Sequence, residues 1–232
     1  MERYKFWKTK WREKAEEENP FIAAGASNFA KNPIEFLHNL NYIVKNLRLQ
    51  KEDIVLDVGC STGLYCIPLT HWVREIKGID YIPELVKRAN QNTKSYPNIE
   101  IKIGDLLDIP FETNSFNKIL AGSIIQYLED IGDIKRAFGE IKRVVRKRGK
   151  VLVSLIPDAG KKEQYLNEIW KLNLPKEQKE EIYAKNEAGL WFHPERLLEI
   201  AQDIPLEANI LSIPTEIWQS WYMFSLLFED NG

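Results

Sequence analysis

"VLDVGCSTGLYC", residues 55–66, is the stretch on which the fold turns. An aliphatic run ends here in Gly59-Cys60-Ser61-Thr62-Gly63, and a helical pattern follows. This junction has three competing readings. As G-x-S-x-G it matches the elbow that exposes a nucleophilic serine, and Asp158 and His193 follow in the required chain order. Against this, Asp53–Val58 reads as the first strand of the sheet, so no earlier strand supplies oxyanion donors, and no His-Gly-Gly-type loop precedes it. As the dinucleotide fingerprint G-x-G-x-x-G, it has serine and leucine where the second and third glycines belong, and Leu64 would crowd the helix–strand packing. The third spacing is Asp57-x-Gly59-x-Ser61-x-Gly63, in which glycine allows a tight turn and close approach of backbone to a ligand. Serine fits the middle position provided its φ is negative.

Short β-rich runs alternate outward from this stretch with longer helical patterns, as in βαβ units built on a parallel sheet. Strands are expected at Asp53–Val58, Glu75–Ile79, Ile99–Ile103, Lys118–Ala121 and Val151–Ile156, with two more at Ala208–Ile213 and Trp221–Phe228. Helices are expected near Leu64–Val73, Pro83–Lys94, Ile131–Val145 and Pro194–Ala201, with Pro83 and Pro194 suited to a first helical turn. No helix separates the final two strands, so they should pair antiparallel. Residues 1–33 form an aromatic and charged leading segment, followed by a helix over Ile34–Leu47. The polar insertion 158–189 reads as two helices split at Pro175.

The bulk properties suit a globular domain with a sizeable core. The 232 residues are 44% hydrophobic and 28% charged, with a net charge of −2, which gives no overall electrostatic case for nucleic acid or an acidic membrane. The opening "MERYKFWKTKWREKAEEENP" has no apolar core of the signal-peptide kind, and no run approaches the ~20 apolar residues of a membrane span. Cys60 and Cys66 fit no metal-ligand pattern, so no metal and a reducing cytoplasmic setting are expected. The basic run "IKRVVRKRGK" is read as a solvated helix end in preference to a nucleic-acid surface, since Lys and Arg complement a helix C-terminus.

The glycine loop resembles that of class I S-adenosylmethionine-dependent methyltransferases, and the resemblance continues over roughly residues 34–213. Asp80 stands 21 residues after Gly59 (80 − 59), in "IKGIDYIPELVKRAN". The stretch "GDLLDIPFETNSFN" resembles the family's G-D-x-x-x-x-P-F-x-x-x-S-F-D, with Asn117 where the family has its last acid. "LAGSIIQYL" resembles the loop facing the methionine end and then the substrate, and "WFHPERLLEI" the segment before the last crossover helix.

The resemblance implies a doubly wound, mostly parallel seven-stranded α/β sheet of Rossmann-like type, its last strand antiparallel, with S-adenosylmethionine as cofactor. It implies that Asp57, Gly59, Cys60, Ser61 and Gly63 surround the methionine and ribose portions. Asp80 would grip the ribose hydroxyls, while Tyr81 and Ile82 would line the adenine face. Gly104, Asp105 and Leu106 would form the adenine end, with Gly122 and Ser123 at the amino-acid moiety. Gln126 and Tyr127 occupy positions where many relatives carry histidines, and neither is a good base at neutral pH, since a free Tyr has a pKa of about 10. With His193, read either as substrate-facing or as a surface cap, they are the candidate catalytic residues.

Residues 1–33 then read as a lid and 34–232 as the methyltransferase domain. Tyr4, Phe6, Trp7 and Trp11 either close the site or pack as a stripe on its flank, and Phe29 is a candidate pocket residue. The expected acceptor is a small polar molecule, such as a sugar hydroxyl or amine of a polysaccharide or natural-product pathway, in a monomer or homodimer. An aromatic or quinone-like acceptor is the nearest alternative. A non-catalytic cofactor- or partner-binding protein of the same fold is the reading from another class.

Overall fold

The computed structural model describes residues 2–19, 23 and 33–230; Phe29 and most of the segment around it lie outside the described residues. The chain runs α1 (Glu2–Ala15), α2 (Pro33–Leu47), β1 (Ile54–Val58), α3 (Cys66–Leu69), β2 (Glu75–Asp80), α4 (Pro83–Thr93), β3 (Ile99–Ile103) and β4 (Phe116–Gly122). It continues through α5 (Ile131–Val144), β5 (Val145–Pro157), α6 (Lys162–Lys171), α7 (Lys176–Ala188), α8 (Pro194–Ala201), β6 (Glu207–Ser212) and β7 (Met223–Glu229).

The strands form one sheet in the order β3-β2-β1-β4-β5-β7-β6, parallel except for β7, which runs antiparallel to both β5 and β6. The expected architecture is therefore present, down to the antiparallel return of the last two strands. Strand order reverses between β1 and β4, the place where connections leave on opposite faces and open a crevice beyond the carboxyl ends.

Alternation along β1 assigns its side chains to two cores. Leu56 and Val58 join Ile119, Phe138, Ile141 and Phe228 beneath α5 and α8. Val55 joins Ile43, Leu47, Leu69, Ile76 and Leu152 beneath α2, α3 and α4. A third cluster, Tyr165, Ile169, Ile182 and Tyr222, ties the inserted α6 and α7 to the start of β7.

Local signals explain most element ends. Asp130 caps α5, its Oδ1 accepting from the Asp133 N–H at 3.0 Å, and Pro83 opens the first turn of α4. Three departures are physical. The expected helix over 64–73 shrinks to Cys66–Leu69, because Pro68 has no N–H and the following N–H groups of Thr70, His71 and Trp72 bond three residues back. β5 begins at Val145, six residues earlier than expected, so most of the basic run is strand. Three of its six cations are in ion pairs: Lys142 with Asp230 at 2.7 Å, Arg143 with Glu140 at 2.7 Å and Lys150 with Glu229. Asn117, standing for the family's acid, accepts the Ile54 N–H at 2.9 Å and so joins the starts of β1 and β4 without a charge.

Candidate functional site

A cavity opens over the carboxyl ends of β1, β2 and β4. Its floor is the glycine loop. Gly59 and Gly63 lie in the left-handed region, at φ +74° and +77°, where glycine alone is unstrained. A Cβ on Gly59 would meet the end of the Ile124 side chain at 2.6 Å, so a larger residue there would have to displace it as well as bear the strained φ.

Ser61 corrects an expectation: its φ is +50°, not negative. It is held there by two hydrogen bonds. Its N–H donates to Asp80 Oδ2 at 3.0 Å and its hydroxyl donates to the Ala23 carbonyl at 3.3 Å. No histidine lines the cavity among the described residues, so nothing there activates Ser61 as a nucleophile. Ser123 (φ +53°) and Leu155 (φ +58°) also line the cavity in left-handed conformations. Strained backbone of this kind persists where surrounding structure over-determines it, and it clusters at functional sites.

The two carboxylates beneath the loop are buried. Asp80 accepts the N–H groups of Ser61 and of Ile82 (2.9 Å), bracing the glycine loop against the entry to α4. Burial pushes its pKa up to about 6, against the opposing pull of those donors. Asp57, at the end of β1, is pushed up to about 7 by burial; the Cys66 thiol, donating at 3.3 Å, pulls the other way and the Asp80 charge adds to the rise. Both therefore ionise readily once a cation is near. Cys60 lines the cavity, and both thiols are buried and free.

Of the residues carried over for the cofactor, Asp57, Gly59, Cys60, Ser61, Asp80, Tyr81, Gly122 and Ser123 line this one cavity. Gly63, Ile82, Gly104, Asp105 and Leu106 do not. Gly63 packs its Cα side toward Thr93 and Ala89 in α4, and Ile82 is fully buried. Gly104 is packed against Pro110 and Ile79. Asp105 closes its own turn, Oδ1 accepting the Leu107 N–H at 2.9 Å, and Leu106 is buried beside it. That side of the crevice is covered by α1: the Tyr4 ring lies 5.6 Å from Tyr81, and the Asp105 charge helps burial to raise the Tyr4 pKa.

Gln126 and Tyr127 line the cavity, as expected. Gln126 donates from Nε2 to Ser123 Oγ at 2.8 Å. Burial pushes the Tyr127 phenol up to about 12, so it stays neutral and is no base. Of the two readings of His193 the surface one fits better: it is exposed at the entry of α8 and does not line the cavity, though it makes no cap hydrogen bond. Pro194 holds it extended at the helix start, and Phe192 instead of His193 turns inward.

The N-terminal aromatics close one wall. Trp7 is 3% exposed, its ring 4.4 Å from Tyr127, and its indole N–H donates to the Ala188 carbonyl at 3.2 Å. Trp11 meets the same Tyr127 edge-on at 5.5 Å. Further from the loop the lining passes to residues missed in the sequence: Glu35 and Asn39 on α2, Tyr165 on α6, Lys185 on α7, and Gln219 and Tyr222 before β7. One signal marked them beforehand. Asn39 sits on the buried face of α2 beside Leu40 and Ile43, where a polar residue is out of place without a task.

This geometry suits a nucleoside-bearing cation at the loop end, with a second small molecule facing it. Residues 56–153 match the model of the methyltransferase domain family. The chain is 31% identical over 113 residues to the demethylmenaquinone methyltransferase of Staphylococcus aureus (strain JH9), a match covering 47% of this chain and 46% of that protein. The chain thus spans about half the length of the curated relatives it matches. In fold it is similar to N-methyltransferase NodS from Bradyrhizobium japonicum WM9, solved with S-adenosyl-L-homocysteine (TM-score 0.67, 17% identity, 97% of this chain and 98% of that one). It is also similar to phosphoethanolamine N-methyltransferase 1 of Haemonchus contortus (TM-score 0.76, 14% identity, 98% of this chain and 48% of that one). The match over residues 56–153 and the order of the seven strands together give this chain the Rossmann-like fold of the methyltransferases it resembles.

Proposed function

We propose that this protein binds S-adenosylmethionine at the glycine loop and transfers its methyl group to a small polar acceptor held under α1, α6 and α7. One observation carries the reading. The left-handed loop, braced by Asp80, forms one end of a cavity that is walled further out by aromatic side chains and side-chain amides.

The bound cofactor supplies a methyl group already activated by positive sulfur. The protein's share is to hold, orient and exclude water. Asp80 would accept from the ribose hydroxyls while still bracing Ser61, and Tyr81 would flank the adenine. Asp57, Gly59 and Ser123 would hold the amino-acid end. Positioning of this kind is worth about 7–11 kcal/mol of barrier, against roughly 10²–10⁴-fold from a general base. A site whose Tyr127 stays protonated and whose lining holds no histidine is consistent with that balance. The relatives are named for demethylmenaquinone and phosphoethanolamine, so likeness alone does not select the acceptor; a sugar hydroxyl or an amine is our reading. α1, laid across the crevice, serves as its lid.

Calorimetry with S-adenosylhomocysteine tests the first half, and formation of that product from S-adenosylmethionine with pooled small-molecule acceptors tests the second. Tight binding with turnover is the expected result. Binding without turnover on any pool would favour a non-catalytic binder, and absence of binding removes the reading.

A further inference from the structure

Three residues of the cavity lining, Asn39, Gln126 and Gln219, have buried side-chain amide oxygens with no hydrogen-bond partner among the described residues. All three side chains are more than nine-tenths buried. A buried, unpaired amide oxygen is costly unless something donates to it. Their amino groups are in part engaged, Asn39 Nδ2 with the Tyr65 hydroxyl at 2.6 Å and Gln126 Nε2 with Ser123.

Three nitrogen donors of the same wall are taken. The indole N–H groups of Trp7 and Trp191 donate to the carbonyls of Ala188 and Asn186, and Lys185 is paired with Glu181 at 2.9 Å. Glu35 stands one helical turn before Asn39. Its Oε1 accepts the Trp218 N–H at 2.8 Å, and burial raises its pKa. Once Asp57 and Asp80 are given to the cofactor end, the remaining charged lining is Glu35 together with the Glu181–Lys185 pair, a net negative wall. The unpaired amide oxygens and this negative charge stand among aromatic surfaces that favour a cation.

We propose that the acceptor half of this cavity recognises an organic amine, whose N–H groups are received by Glu35, Asn39 and Gln219 and whose apolar body lies among the aromatic rings. This deepens the methyltransferase reading and rests on it. An amine arriving as ammonium gives one proton to Glu35: the N–H bond breaks, an O–H bond forms on the carboxylate, and the nitrogen keeps the lone pair. A hydroxyl acceptor offers a single donor and no charge, and it would leave amide oxygens unpaired.

The test uses the full chain saturated with S-adenosylhomocysteine and two matched pairs, tryptamine with tryptophol and 2-phenylethylamine with 2-phenylethanol, read by calorimetry. Amines are expected to bind about ten-fold or more tighter than their alcohols, as hydrogen bonds to a charged group imply. Glu35→Gln and Asn39→Leu should each remove most of that preference while S-adenosylhomocysteine still binds, which also shows that the variants are folded. Equal binding of amine and alcohol, binding of neither, or an amine preference that survives both substitutions overturns the proposal. Loss of S-adenosylhomocysteine binding by the unaltered protein overturns instead the reading beneath it.

Discussion

Asp80 is occupied before any ligand arrives, since its two oxygens already hold the Ser61 and Ile82 N–H groups. Its removal therefore acts twice. Asp80→Ala should weaken S-adenosylhomocysteine binding by about 1.5–3 kcal/mol, through lost charge-assisted hydrogen bonds to the ribose. It should also lower the melting temperature of the free protein, because two buried backbone donors lose their acceptor. Asp80→Asn, which keeps one acceptor, should fall between. A dissociation constant unchanged in Asp80→Ala takes the residue out of the site.

Ser61 makes the complementary case. A serine at φ +50° carries strain that glycine avoids, while glycine loses the hydroxyl's bond to Ala23 and gains freedom in the unfolded chain. These terms oppose each other, so Ser61→Gly should shift stability by less than about 1 kcal/mol. Ser61→Val places a β-branched side chain in the same conformation and should destabilise clearly. Thermal unfolding of the two variants decides whether backbone conformation governs the position.

At the scale of elements, α1 is held from three directions. Tyr4 N–H donates to Glu129 Oε1 at 2.8 Å, Trp7 is bonded to the end of α7, and Arg88 of α4 donates to the Ala15 carbonyl at 3.1 Å. The ion pair Arg12–Glu84, at 3.3 Å, is half exposed on both sides and adds little. The buried Trp7 ring is thus the main apolar anchor of a helix otherwise fastened at its rim. Trp7→Ala should release α1, seen as faster hydrogen exchange over residues 2–15 and a dissociation rate for S-adenosylhomocysteine raised about ten-fold, the loss of a modest part of a buried aromatic contact. An unchanged dissociation rate would mean that α1 is flank and not lid.

The same element shows where the sequence is legible and where it is not. β1 to β4 stand where short β-branched and aliphatic runs put them, within one or two residues at their ends, although β2, β3 and β4 carry charged or polar residues among the apolar ones. The ends of α8 are also as expected, since Pro194 marks one of them. α3 is overestimated because helical pattern outweighed Pro68. The cofactor half of the cavity is legible because a single loop and a residue at a fixed distance build it. The acceptor half draws on α2, α6, α7 and the turn before β7, which are far apart in the chain, and no local spacing signals that Glu35 and Gln219 face one space. His193 is ambiguous in sequence for the converse reason: Phe192 beside it is buried while it is exposed.

Over the whole molecule the charge is nearly balanced, at −2, yet the cavity lining carries Glu35, Asp57, Asp80 and Glu181 against Lys185 alone. Such a crevice favours cations and ties their binding to pH. Asp57 and Asp80 have pKa values near 7 and 6 in the folded protein, against 3.8 unperturbed. The folded chain therefore holds protons that the unfolded chain has released. That contribution to stability is full below the unperturbed pKa and is lost as pH rises through about 7, so the ligand-free protein should become less stable between about pH 4 and pH 7. Binding runs the other way. A sulfonium cofactor prefers the ionised carboxylates, so its affinity should climb from about pH 5 to about pH 8 and then level off, with protons released on binding. Calorimetry at pH 6.5 in two buffers of different ionisation enthalpy reads that release directly. Thermal unfolding across the same range should show stability falling with pH without the cofactor and a much flatter curve with it, because the ligand restores at high pH what ionisation of the buried pair removes. Affinity independent of pH, with no proton release, would show that the carboxylates do not face the bound cation.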